Sequence, residues 1–331
     1  MLIKRLISTA FVLLGISLVI VTFLRLAPGD PAQMLLGGMA SAEDVAQLRR
    51  QLGLDQSLLA QYWDFVRRAA GLDFGLSFRY QEPALTLFLE RLPATIELTI
   101  ASLTIAIAIA IPIGVLSAAR QNSWLDHLGM GFTFAGASMP TFWLGILLML
   151  FFGGYLNALP VSGRLDPGVD VKTITGLLLI DSLITLDGRG FLNALSHLIM
   201  PAMTLGIVLS AIIARVTRSS MLEVIRQDYV TTARVKGLPE RSVIWKHCFR
   251  NALASVVTVV GLQLGGLLAG SIIVETVFAW PGVGSLLIQA VSLRDYQLVQ
   301  CVVVLLATIY VLINLGVDIL YRVIDPRMSL R

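Results

Sequence analysis

The residues in this chain that could do chemistry are a few carboxylates and one basic loop, set in an otherwise apolar sequence. Glu97 and Glu275 fall near the ends of long apolar runs, where an ionised group is costly unless it meets protein, water or an opposite charge. A carboxylate there could receive a cationic group arriving from outside. Snorkelling, or a salt bridge to a neighbouring subunit, is the plainer alternative. Arg25 and Asp318 raise the same question, and Arg322, one helical turn on, is a local answer for Asp318. His127, His197 and His247 lie far apart without metal-ligand spacing, and His197 is expected near the outer end of a span. Cys248 and Cys301 suggest neither a disulfide framework nor a zinc site. The chain has no Gly-x-x-x-x-Gly-Lys-[Ser/Thr] phosphate loop, no HExxH and no Gly-x-Ser-x-Gly elbow. It reads as a non-enzyme, with no cofactor of its own, whose energy comes from elsewhere.

The longest strongly polar run between apolar stretches is Asp228 to Arg250, DYVTTARVKGLPERSVIWKHCFR. Arg234, Lys236, Arg241, Lys246 and Arg250 outnumber Asp228 and Glu240, and the positive-inside rule assigns such a loop to the cytosol. Asp228 is positioned to cap a short helix from Tyr229 to Lys236, Gly237 to end it in the left-handed conformation, and Pro239 to open a second helix. The product is a compact projection that a soluble partner could grip.

The elements that hold these residues follow from composition. With 331 residues, 56% hydrophobic, 14% charged and a mean hydropathy of +0.81, the chain is an all-α integral membrane protein. A net charge of +4, with no basic soluble domain, argues against nucleic-acid binding. Residues 1–27 predict a first span entered from the cytosol behind Lys4 and Arg5; Arg25-Leu26-Ala27-Pro28 is a poor cleavage site for the rival signal-peptide reading. Residues 28–93 predict an external amphipathic helical region. Within it, Ser41 and Asp44 form a capping box, Gly53 ends that helix, and Leu58, Tyr62, Phe65, Val66 and Ala69 share one face of a second helix before Gly71. These helices are expected on the membrane surface or packed on the spans.

Residues 94–331 predict a core of five spans: Ala94 to Ala119, Gly129 to Leu156, Leu195 to Val216, Ala252 to Phe278 and Leu298 to Tyr321. Six spans put both termini in the cytosol, with an external loop at 157–194 and a cytoplasmic one at 217–251; Arg215, Arg218, Arg322 and Arg327 flank the inner ends. Pro112, Gly114, Pro140, Gly145 and Gly261 inside spans suit close packing in lipid, while Gln263 to Gly270, QLGGLLAG, presents a nearly bare face suited to sliding.

The run Thr231-Thr232-Ala233, three residues, then Gly237 resembles the EAA loop of ABC-transporter permeases. Thr231 and Thr232 replace that motif's Glu and first Ala, and His247 and Phe249-Arg250 stand where Ile-x-Leu-Pro would. Both departures are similar to the dipeptide, oligopeptide and nickel branch, whose loop commonly reads TARAKGL, here TARVKGL. LAPGDP (26–31), QLGLD (51–55), LDFGLS (72–77), MPAMTLG (200–206), IIVETVFAWPGVG (272–284), RDYQLVQ (294–300) and VDILYRVIDPRM (317–328) extend the resemblance over nearly the whole chain. It implies a type I importer permease fold in a bacterial inner membrane, most like the dipeptide type, with nickel chelate or glutathione as alternative cargo. The implied partners are a second homologous permease, two subunits that bind ATP and Mg, an external substrate-binding protein and a peptide. Asp228, Tyr229, Thr231, Thr232, Ala233, Arg234, Lys236, Gly237 and Leu238 would then form the ATPase-coupling element.

Overall fold

The computed structural model describes residues 2–26, 33, 36, 41–51, 53 and 55–324; the side chains of 2–9, 25, 51, 268–270, 318 and 320–324 are not described. The readings made for Arg25, for Asp318 with Arg322, for the LAPGDP and QLGLD stretches and for the C-terminal tail therefore lie wholly or partly outside the described residues. Among those residues the only sheet-like feature is one antiparallel bridge between Leu76 and Pro83. The chain divides into two compact units, Met1–Leu92 with Ser285–Val311 and Pro93–Gly284 with Leu312–Arg331.

In the first unit, helix α1 (Leu2–Leu26) has 25 residues, about 37 Å at 1.5 Å per residue, enough to cross a bilayer. Short helix α2 (Ala42–Gln51) opens on the reciprocal Ser41–Asp44 box expected from sequence, and Gly53 follows at φ +65°. Helix α3 (Leu58–Ala70) starts at Ser57, whose hydroxyl accepts from Ala60 N, and it packs on α1. Its buried Tyr62 donates to the Leu14 carbonyl at 3.0 Å and accepts from Ser17 at 3.4 Å. Leu14 is near the middle of α1, so of the two placements open to this amphipathic helix the structure adopts packing on the span. Beyond a turn at Gly75 to Pro83, Asp295, only 1% exposed, accepts from the Ser77 hydroxyl and from the Arg79 and Leu298 amides, the last in the first turn of the helix that opens at Tyr296. Three donors depend on this one carboxylate.

In the second unit the long helices are α4 (Ala84–Ala119, its first residues in the other unit), α8 (Gly188–Ile225) and α10 (Arg250–Val277), which is led in by a helical turn at Glu240–Ser242 and a π-helical turn at Val243–Phe249. Short α7 (Leu178–Ile184) precedes α8; α11 (Val283–Ser292), after α10, belongs mostly to the first unit, as does the first half of α12 (Tyr296–Ile324), which closes the described chain. The helix at α4 begins ten residues before the expected Ala94, because Pro93 is accommodated inside it rather than marking its start. The expected fourth span is longer too, running through 38 residues.

The expected third span is not one helix. Helix α5 (Trp124–Ser138) stops where Met139 turns extended, α6 (Thr141–Leu148) starts behind Pro140 and runs into a π-helical turn at Met149–Tyr155, and the two halves meet at 105°. Proline removes an amide donor and restricts the residue before it, so the ladder breaks there. Among the described residues four helices are long and apolar enough to span and the bent pair is a fifth candidate; α1 has the length, at 25 residues.

The second unit's core lies in layers along α8. One cluster gathers Ala94, Leu98, Leu198, Met200, Leu205, Phe278 and Trp280; a second gathers Ala106, Ala110, Ile213, Ala214 and Val256; a third gathers Val115, Ala118, Met221 and the residues after it. The helices approach closely. A Cβ on Gly114 would come within 2.8 Å of the Ala214 carbonyl, and one on Gly206 within 2.9 Å of the Ser102 carbonyl. Gly261 meets Val317, whereas Gly266, in the bare stretch, faces only the Gln263 side chain, 3.9 Å away.

Asp295→Ala should leave buried donors at Ser77 and Leu298, and the partly buried Arg79 amide, without this acceptor and lower stability by about 3 kcal/mol. Thermal unfolding in detergent would test this, and an unshifted midpoint would reject the role given to the carboxylate.

Candidate functional site: the Asp228–Leu238 projection

Helix α8 ends at Ile225, and Arg226 and Gln227 turn the chain into α9 (Asp228–Val235). Gln227 has the extended angles of a cap residue (φ −77°, ψ 147°) and makes no side-chain cap bond. Asp228 is therefore the first helical residue and not the cap expected from sequence. Its carboxylate still lies where the helix dipole favours negative charge.

Two residues three apart fix α9 to the bundle. Val230 is wholly buried and Ala233 nearly so, in the cluster with Val115 and Ala118 of α4, Met221 of α8, and Val243, Ile244, Cys248 and Ala252. Tyr229, Thr231, Thr232, Arg234, Val235, Lys236, Gly237 and Leu238 are exposed, Val235 to 83%. Together with exposed Trp245 they make a mixed apolar and basic surface.

The helix ends as the sequence predicts, in a left-handed glycine. Gly237 has φ +76°, its amide donates to the Arg234 carbonyl at 2.9 Å, and the Leu238 amide donates to the Ala233 carbonyl at 3.4 Å; these are the two bonds of a Schellman cap. A Cβ at Gly237 would meet nothing within 4 Å, so only the backbone angle requires glycine there. Across the turn Arg234 donates to both oxygens of Glu240, at 2.8 and 3.3 Å. That hydrogen bond raises the Arg234 pKa and holds Glu240 below the usual carboxylate range. Both side chains are well exposed, and such a pair adds little stability. Asn251 donates to the Tyr229 hydroxyl at 2.8 Å.

Behind the projection, Arg218 of α8 donates through Nε and Nη2 to the two carboxylate oxygens of Asp126, each at 2.7 Å. Asp126 is 3% exposed and also accepts from the Asn122 amide. It was absent from the residues singled out by sequence. The signal for it was present: Ser123-x-x-Asp126 is a capping pair, and the Asp126 amide does donate to the Ser123 hydroxyl at 3.4 Å. The clamp fixes the start of α5 to the last turns of α8. Among the described residues no group of three or more His, Cys, Asp or Glu side chains is placed to hold a metal ion.

The two carboxylates considered for the substrate path lie elsewhere, at the other end of α8; Glu97 borders an apolar cavity lined also by Ile100, Thr104, Leu179 and Leu198, whereas Glu275 is fully buried. Glu97, 7% exposed, pairs with Arg164 at 2.5 Å and accepts from the Leu179 amide at 2.8 Å. Arg164 donates as well to the Gly176 carbonyl and lies over the Trp280 ring, 5.4 Å from its centre. The partner is thus within the chain, 67 residues away, and not in a neighbouring subunit. Glu275 is fully buried; the Thr95 and Ser271 hydroxyls donate to it at 2.8 and 3.2 Å. A Cβ on Gly282 would overlap both its Oε2 and Thr95 Oγ1, so the carboxylate braces the Trp280–Gly284 turn. A peptide ammonium has no access to it in this conformation.

In the segment before α8, Asp181 is wholly buried and accepts from the amides of Ile174, Thr175 and Gly176 and from the Thr175 hydroxyl. Burial pushes its pKa upward, but the Thr175 hydroxyl and the three amides outweigh burial and hold it below the ordinary value.

The long apolar helices carry a small anchored helix between two of them, and comparison with known proteins gives the class, a membrane transport permease. The chain belongs to the family of binding-protein-dependent transport system inner membrane components, whose description matches residues 110–330, with the companion N-terminal description matching residues 1–99. It is 43% identical over 326 residues to the dipeptide transport system permease protein DppB of Alkalihalophilus pseudofirmus, covering 98% of each chain. It is 44% identical over 319 residues to DppB of Escherichia coli K12, covering 95% of this chain and 94% of that one. The glutathione transport system permease protein GsiC of Salmonella typhimurium is 39% identical over 323 residues, covering 98% and 96%. In fold it matches a chain of the inward-facing MetNI methionine ABC transporter with a TM-score of 0.56 at 18% identity, over 73% of this chain and 97% of that one. The fold is that of a type I importer permease.

Glu97→Ala should strand the mostly buried Arg164 and lower stability by about 3 kcal/mol, read as a fall in the unfolding midpoint. A midpoint equal to wild type would exclude the structural role. Because the folded Asp181 pKa is depressed, the stability it contributes is fully present above its unfolded value of about 3.9 and is lost as pH falls through the folded value. Hydrogen exchange at Ile174 to Gly176 should therefore stay slow, relative to its intrinsic rate, down to about pH 4 and accelerate below it; protection unchanged at pH 2 would contradict this.

Proposed function

We propose that this chain is the permease subunit of an ATP-driven importer that carries dipeptides or other short peptides across a bacterial inner membrane. What supports the reading is its near full-length similarity to dipeptide transport permeases, at 43% and 44% identity, joined to a rigidly anchored projection. In this reading both termini and the projection face the cytoplasm, while residues 28–93 and the loop at 157–194 face outward. The basic character of Asp228 to Arg250 favours that orientation.

The proposed assembly has a second, homologous permease, two subunits that bind ATP and Mg, and an external binding protein that delivers cargo. Asp228, Tyr229, Thr231, Thr232, Arg234, Lys236 and Leu238 present the docking surface to one ATPase; Ala233 is part of the anchor beneath it, and Gly237 shapes the turn. Closure of the ATPases on ATP pushes α9. The push reaches the spans because Val230 and Ala233 are buried among α4, α8 and α10, and because Asp126 and Arg218 hold α5 to α8. ATP shifts the gate only to the extent that the docked conformations bind it unequally. Glutathione is a second cargo, favoured by the 39% identity to a glutathione permease.

Uptake of a labelled dipeptide by cells that express the chain with its neighbouring genes tests the reading, with glutathione as competitor. Dipeptide uptake that ceases when the chain is deleted or the ATPase inactivated is the expected result. Unchanged uptake in either case would overturn it, and competition by glutathione alone would favour the second cargo. Gly237→Val should strain the turn by roughly 1 kcal/mol and abolish stimulation of ATP hydrolysis by the loaded binding protein. Normal stimulation in that variant would refute the role given to the turn.

A further inference from the structure

The loop ahead of α7 is fastened to α8 by a histidine that the permease reading does not use. His197, 4% exposed, has Nδ1 facing two backbone carbonyls, Ser162 O at 3.0 Å and Gly163 O at 3.2 Å. Its Nε2 faces Asp166 Oδ1 at 3.2 Å. Asp166 is tied from its other side: Asn193 Nδ2 donates to Oδ2 at 2.6 Å, and the Asp166 amide donates to Asn193 Oδ1 at 2.9 Å. The Asn193 bond holds Asp166 below the usual carboxylate range, so it stands opposite the ring as an anion.

Carbonyls and carboxylates only accept, and a neutral imidazole has one N–H. Both ring nitrogens here face acceptors alone. We infer that His197 is doubly protonated in this conformation and acts as a pH-sensitive clasp that fastens residues 162–166 to α8 and opens when the ring loses a proton. Imidazole is the ordinary side chain that changes charge near neutrality. With the proton gone, an unshared pair on Nε2 or Nδ1 would confront an acceptor, and the loop would be repelled from the helix.

The clasped turn joins three helices. The Gly163 amide donates to the Phe278 carbonyl at 3.0 Å, Arg164 of the same turn holds Glu97, and Trp280 Nε1 donates to the Ala94 carbonyl at 2.9 Å. Releasing His197 thus loosens the fastening of α4, α8 and the end of α10 together. The other charged groups on these elements are engaged: Arg164 with Glu97, Glu275 with the Thr95 and Ser271 hydroxyls, and Asp187 with the Gly190 amide. Asp181 on α7 is held by the Ile174, Thr175 and Gly176 amides, and Arg189 on α8 with Asp170 and Lys172 on the loop are the other charges near this end. Glu90 and Arg91 on α4, Arg215, Arg218 and Glu223 on α8 and Arg250 on α10 complete the charges of the packed elements. For transport, which rests on the importer reading, external pH would bias the gate: acid outside holds this end together and alkali frees it. The clasp itself does not depend on the cargo.

Hydrogen exchange of the full importer in nanodiscs tests the clasp, read at residues 162–176 from pH 5.5 to 8.5 and corrected for the intrinsic rate. In the wild type the corrected exchange should accelerate about tenfold across the range, as a charge-assisted hydrogen bond is lost. Asp166→Asn should keep the loop protected and remove the pH dependence, because an amide can donate to a neutral Nε2 or accept from it. A merely structural histidine would give pH-independent protection in the wild type, and that result would overturn the proposal. The same pH dependence in Asp166→Asn as in wild type would also overturn it. Dipeptide uptake that is the same with and without the chain, alongside the expected exchange profiles, would count against the importer reading and leave the clasp standing.

Discussion

The close approach of α4 and α8 is the constraint on which the second unit depends. At Gly114 and at Gly206 the opposing backbone lies where a Cβ would have to be, so the two helices meet with almost nothing between them. In lipid no hydrophobic force drives helices together, and van der Waals contact at such small residues takes its place. A 38-residue helix at about 1.5 Å per residue is ~57 Å long, so α8 extends well past the hydrocarbon core at its ends. Pressed against α4, it can carry displacement from one end to the other.

Each end of α8 carries a different kind of attachment. Near Ile225 the fastening is mainly apolar, through Met221, Val230 and Ala233, with the paired Asp126 and Arg218 behind it. Near Gly188 it is polar: His197, Asp166 and Asn193, and beside them Arg164 with Glu97. Buried charge in a membrane protein is expected to mark a pathway for cargo. In this chain the described buried carboxylates are acceptors for amides, hydroxyls and guanidinium groups. Glu97, Glu275, Asp126, Asp181 and Asp295 hold loops and turns onto helices, which makes the loops parts of the bundle.

The break at Pro140 separates the third span from the others. Its halves meet at 105°, and the second half continues into a π-helical turn. Backbone that leaves the helical ladder at membrane depth is tolerated only where protein or a water-filled cavity can satisfy it. Bent segments of this kind suit the part of a permease that changes shape, whereas α4 and α8 suit the part that does not.

Much of this was legible in the sequence because the rules involved act between near neighbours. The lengths of apolar runs located the long helices though not their bounds or the break in the third, Ser41-x-x-Asp44 marked a helix start, and Gly237 marked the left-handed stop after a short helix. Family motifs, read as a series, gave the class of protein. Local rules failed where two positions compete for one role, as when Gln227 took the cap from Asp228, or where a proline could start, bend or break a helix, as at Pro93 and Pro140. Only the tertiary structure decided which buried charge meets which partner, since Glu97 and Arg164, or His197 and Asp166, are brought together by the path of the chain. Spacing along the sequence carries no record of that path, and desolvation makes the pairing decisive: a carboxylate free to meet a peptide and one already satisfied inside the fold look the same until their neighbours are known.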